Sequence, residues 1–181
     1  MSLIESISSF VQGERKQYGE DLKYKFGDEI CNIDDDGTPT IAYDYLYLDS
    51  GDKYSFLNPE LNQNFSEEFP NESDYAIYFR KIKSFCKKTL NKSLYHSKKE
   101  EHIHIVNSNE RLVDLLRKTA KTTFNHNNIP QFGQFALYTN VKDNRAPRVF
   151  FFIGNYAIVY ILFYDPYHEI TKMKEDINKR T

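Results

Sequence analysis

The sequence predicts an α+β fold: one domain with a mostly antiparallel central sheet, a C-terminal two-residue β-hairpin and two or three packing helices. Three observations predict it. Strand-like alternation and helical stripes are interleaved along the chain without a strict strand-helix-strand rhythm. The strongest strand runs are joined by tight-turn signals, above all Gly154-Asn155, where glycine suits the positive φ of a two-residue turn. The length, 181 residues, suits a single core. Residues 1–181 are therefore read as one globular domain, with 171–181 a charged, frayed tail.

Taken in order, Leu3, Ile4, Ile7, Phe10 and Val11 recur at helical spacing and predict a short amphipathic helix ending before Gly13. Residues 29–33 read as a strand. From 40 to 48, Ile41, Tyr43, Tyr45 and Tyr47 alternate with Ala42, Asp44, Leu46 and Leu48, a strand with one tyrosine-rich face. Ser50-Gly51-Asp52 is a turn signal, so 53–57 is expected to return as the second arm of a hairpin. The polar stretch 58–71 reads as a loop. Tyr75, Phe79, Ile82, Phe85, Cys86 and Leu90 fall on one stripe and predict a helix over 74–90, with Ser73 as its cap. Residues 102–106 alternate like a strand. Asn107 and Glu110, three apart, resemble a capping box opening a helix near 108–118. Residues 134–139 read as another strand, followed by the hairpin around 147–164.

Composition narrows the function classes. Charged residues make up 28% and hydrophobic ones 40%, a globular balance, and 14 Tyr with 14 Phe and no Trp make the core aromatic. A net charge of −2 gives no global pull toward nucleic acid or anionic membrane, so such binding would have to come from local clusters. The acids gather early (Asp34, Asp35, Asp36, Glu67, Glu68, Glu72, Asp74) and the lysines in the middle (Lys81, Lys83, Lys87, Lys88, Lys92, Lys98, Lys99). Two cysteines, Cys31 and Cys86, and an N-terminus without a signal-peptide pattern lead to the expectation of a reduced, cytoplasmic setting. No apolar run reaches the roughly eighteen residues that cross a bilayer, so no membrane partner is expected.

Counting outward from a two-residue turn pairs Ile153 with Tyr156, and the same register puts Arg145 opposite Tyr164. Arg145, Arg148, Asp165 and His168 then collect at the open end of the hairpin, bracketed by Pro147 and Pro166, where strands give way to loops. A histidine beside a guanidinium suits general acid-base chemistry on a phosphate: His168 moves the proton while Arg145 or Arg148 stabilises charge, with Asp165 beside them. That combination describes metal-independent RNA cleavage of a toxin or defence type. Lys87, Lys88, Lys98 and Lys99 are the expected backbone contacts, and Tyr43 and Tyr45 the expected stacking surfaces. His102 and His104 alternate on one strand face, about 6.5–7 Å apart along the strand, and with His168 or Asp165 as a third ligand would suit zinc or iron. No cofactor is expected, and a divalent metal is the disfavoured chemistry. His96 and His126, among lysines and asparagines, read as solvated. The alternative from another class is a non-catalytic interaction or regulatory module that receives a protein partner on the face of Tyr43, Tyr45 and Tyr47.

Ala42-Tyr43-Asp44-Tyr45-Leu46, then a helix, His102-x-His104, and Phe163-Tyr164-Asp165-Pro166-Tyr167-His168 resemble a group of uncharacterised bacterial proteins over residues 40–170. That resemblance implies a closing hairpin followed by an aromatic-x-Asp-Pro-x-His sequence, and no activity. The order arginine, hairpin, histidine looks more loosely like the last strands of RelE-like toxin ribonucleases, which are shorter and carry a basic excess that this chain lacks.

Overall fold

The computed structural model describes residues 23–26, 29–32, 37–95, 102–120 and 129–171. The helix expected over residues 3–11 and the tail beyond 171 lie outside them, as do Lys98, Lys99, His96 and His126. Strands β1 (Lys23–Phe26) and β2 (Glu29–Asn32) form an antiparallel pair of their own. The main sheet has five strands: β3 (Thr40–Ala42), β4 (His104–Val106), β5 (Phe132–Ala136), β6 (Arg148–Ile153) and β7 (Ile158–Asp165). Their order across the sheet is β3-β7-β6-β5-β4. Three described helices accompany them: α1 (Asp74–Phe85), α2 (Leu90–Tyr95) and α3 (Glu110–Ala120).

The α+β class stands, but the sheet is mixed, because β3 runs parallel to β7 with Ile41 opposite Val159. The expected hairpin of 40–48 with 53–57 does not form. After Ala42 the chain turns, with Leu46 N–H bonded to the Tyr43 carbonyl at 3.0 Å. It then runs irregularly along the free side of β7, where Tyr47 N–H donates to the Leu162 carbonyl (2.9 Å) and Tyr164 N–H to the Tyr54 carbonyl (3.0 Å). Burial explains the break in alternation: Tyr45 leans on Phe152 and Tyr160, and Tyr47 packs edge-on against Phe163. An aromatic that can cover a bare sheet edge gains more than one held on a solvated strand face.

The β6–β7 connection also differs from expectation. Ile153 pairs with Val159 rather than Tyr156, and residues 154–157 make the connection, as a 3₁₀ turn at Asn155–Ala157. Gly154 is extended (φ −99°, ψ −169°), and the positive φ falls on Tyr156 (59°) and Ala157 (55°). The glycine is needed for room, because a Cβ there would lie 2.6 Å from the ring of Tyr160. A bulge between Phe150 and Phe151 then re-registers the ladder, so that Arg148 stands opposite Asp165.

Alternation along β6 divides the core into two layers. Val149, Phe151 and Ile153 face Ile77, Tyr78 and Phe85 of α1. Phe150 and Phe152 face Leu112, Val113, Leu115 and Leu116 of α3. The hairpin is thus covered on both sides, and each fully buried Phe contributes about 1.5–3 kcal/mol. Helix α1 is capped by Ser73, whose hydroxyl accepts from Ala76 N–H, and it stops at Phe85 rather than continuing to 90. Helix α3 is capped by Asn109, two residues beyond the expected Asn107: its Oδ1 accepts from Leu112 N–H at 2.9 Å. No described helix is long and apolar enough to cross a membrane.

Candidate active site

The open end of the hairpin does gather polar side chains, but the sheet separates them into two sites on opposite faces. On the α1 face Arg145 is 2% exposed and entirely engaged. Its Nη2 meets Asp74 Oδ2 at 3.1 Å and the Tyr164 hydroxyl at 2.7 Å, its Nη1 meets Glu60 at 2.6 Å, and its Nε meets the Tyr138 hydroxyl at 3.1 Å. Phe65 lies 3.9 Å from the guanidinium carbon, ring centroid to Cζ. Asp74, 0% exposed, also accepts from Tyr138 (2.7 Å) and Tyr164 (2.5 Å). Burial opposes the charge of Arg145, but Tyr164, Glu60 and Tyr138 raise its pKa further above the ordinary arginine value. Burial, with Asp74 beside it, drives the Tyr164 hydroxyl upward likewise. Each guanidinium nitrogen of Arg145 has a partner in this buried network, and Arg145 does not line the cleft on the other face.

On the α3 face lies a cleft of about 940 Å³. It is walled by the end of the sheet (His104, Gln134, Arg148), the start of α3 (Asn109, Glu110, Arg111) and the segment after β7 (His168, Glu169, Thr171), with His102 at its rim. Three of the five histidines of the chain therefore share one cleft with two arginines. Arg148 is oriented from behind: its Nη1 donates to the carbonyls of Tyr138, Ala146 and Pro147 at 3.1–3.3 Å. Burial lowers its pKa, and Asp165 acts the other way. Arg111 is held by the Tyr54 hydroxyl, the Glu169 carbonyl (3.2 Å) and the Tyr54 ring (4.8 Å).

His102 and His104 do not form the expected pair on one strand face. Strand β4 starts at His104, and His102 has φ 44°, which breaks the pleat between them. The His104 ring is held from two sides, by Gln134 Nε2 at 3.0 Å from its Nε2 and by the backbone of His102. Burial lowers its pKa, with Arg148 and His102 adding to the effect. Among the described residues no group of three His, Cys, Asp or Glu side chains is arranged to hold a metal.

Asp165 does not line the cleft; it is 0% exposed beneath it. Its Oδ1 accepts from Tyr167 N–H (3.3 Å) and its Oδ2 from Ile170 N–H (2.7 Å). Burial pushes its carboxyl up, and those N–H groups with that of Glu169 pull it back. Tyr43, Tyr45, Lys87 and Lys88 are placed elsewhere: Tyr43 hydrogen-bonds Tyr78 of α1 at 3.1 Å, Tyr45 covers the turn end of the hairpin, and the lysines follow α1. Sequence reasoning missed Arg111, Glu169 and Gln134. Gln134 had a usable signal, a lone amide within the apolar run Phe132–Ala136; the other two are charged residues in charged surroundings. No family model matches the chain, and neither a curated protein nor a solved structure matches it.

Proposed function

We propose that the cleft binds RNA and cleaves it without a metal ion. The observation that carries this reading is the convergence of His102, His104 and His168 with Arg148 on one cleft. In such a reaction a base removes the proton of a 2′-hydroxyl, whose oxygen attacks the adjacent phosphorus. The 5′-oxygen leaves with a proton from an acid, giving a 2′,3′-cyclic phosphate and a free 5′-hydroxyl. His168 and His102, which both line the cleft at the sheet end, are the proposed proton carriers. Arg148, fixed by three carbonyls, faces the charge that develops on the phosphate. The loose likeness to RelE-like toxin ribonucleases agrees with this chemistry.

For the alternative, a protein-interaction module on the tyrosine face, Tyr47 is 7% exposed and Tyr45 packs on Phe152, while Tyr43 is 43% exposed. Single-stranded RNA incubated with the protein in excess chelator tests the proposal. Cleavage to cyclic-phosphate ends, lost in a folded His168→Ala variant, is the expected result; undiminished cleavage by that variant removes His168 from the mechanism.

A further inference from the structure

His168 occupies a left-handed conformation (φ 54°), uncommon for a residue other than glycine. The contacts around it are specific. Pro166 supplies no N–H, and the N–H groups of Tyr167 and Ile170, on either side of His168, converge on the two oxygens of the buried Asp165. On the next residue, the Glu169 carboxylate accepts from Lys53 and from the Tyr54 hydroxyl (3.0 Å), with Arg111 3.9 Å away. On the preceding one, the Tyr167 hydroxyl reaches Glu60 (3.0 Å) and its ring lies 5.4 Å from the Arg145 guanidinium. Asn109 closes the turn by donating to the Ile170 carbonyl at 3.0 Å. The two polar networks, on opposite faces of the sheet, are thus joined through the segment that carries His168.

We propose that Asp165 and Glu169 are positioning residues: they fix the backbone on both sides of His168 and so hold its imidazole at the cleft beside Arg148. Asp165 acts from beneath the cleft and Glu169 from its wall. The catalytic consequence rests on the proposed RNA cleavage, but the positioning itself does not, so the two can fail separately.

The test compares wild type, Asp165→Asn and Glu169→Gln by amide hydrogen exchange, by imidazole ¹H–¹⁵N spectra across a pH titration, and by RNA cleavage. In Asp165→Asn the amides of Tyr167 and Ile170 exchange faster while those of β6 keep their protection, and the His168 ring signals and titration midpoint move. Its kcat falls about 10–100-fold with KM nearly unchanged, the loss typical of an orienting partner. Glu169→Gln changes the same signals less. Should Asp165→Asn not fold, the Glu169→Gln spectra decide alone. His168 signals and titration that match wild type in every folded variant overturn the proposal. If the wild type cleaves no RNA, altered His168 spectra still support positioning while the cleavage reading falls.

Discussion

Arg148 and Asp165 face each other across β6 and β7 as the last register pair at the open end of the hairpin. The arginine lines the cleft while the carboxylate is buried away from it and is held by backbone N–H groups. Arg148→Met removes the cation facing a buried carboxylate that sits among N–H donors. A loss on the order of 1–3 kcal/mol is expected, from urea unfolding at pH 7 compared with pH 4. The loss is larger at pH 7, where Asp165 is more ionised, than at pH 4.

The Arg145 network has a different signature. Arg145→Met leaves Asp74 buried without its cation, and unfolding experiments should find about 3–5 kcal/mol lost. Asp74→Asn in the same background recovers part of that loss, because it removes the stranded charge. A variant as stable as wild type would contradict the structural assignment of Arg145.

Gly133 in β5 marks a packing constraint. A Cβ there would lie 2.3 Å from the ring of Phe151, which is 0% exposed and packed on Phe85 and Phe135. Gly133→Ala is expected to cost roughly 1–3 kcal/mol by overpacking. Combined with Phe151→Leu it should cost less than the sum of the two single changes, which a double-mutant cycle reads directly.

His104 makes stability depend on pH in a defined direction. Its pKa in the folded protein lies below the ordinary value of 6.5, so the unfolded chain takes up this proton first on acidification. The contribution is complete above about pH 6.5 and is lost as pH falls toward the folded value. Unfolding free energies of wild type and His104→Gln, measured from pH 5 to pH 7.5, should converge toward the acid end. Parallel curves would remove His104 as the source.

Much of this architecture was legible in local pattern. The stripe of Tyr75, Ile82 and Phe85 and the aromatic runs around Gly154 mark a helix and a hairpin because burial and periodicity act over a few residues. The register was not legible, because Gly154 makes room for Tyr160 instead of forming a tight turn, and a bulge at Phe150/Phe151 shifts the count. That His168 and Arg148 share one cleft was legible because both lie at the same end of the hairpin. The partners of Arg145 were not, since Glu60 and Asp74 lie 85 and 71 residues away and read locally as an ordinary loop acid and an ordinary first-turn acid. Long-range pairing of this kind leaves no trace in spacing.

The proposed role of the cleft turns on the 2′-hydroxyl. The most direct measurement uses a DNA oligonucleotide carrying a single ribonucleotide, beside its all-deoxy counterpart, incubated with the protein in excess chelator. The account predicts one cut, immediately 3′ of the ribose, lost in His168→Ala, and no cut in the all-deoxy strand. Cleavage of the all-deoxy strand, or of neither strand, would contradict it.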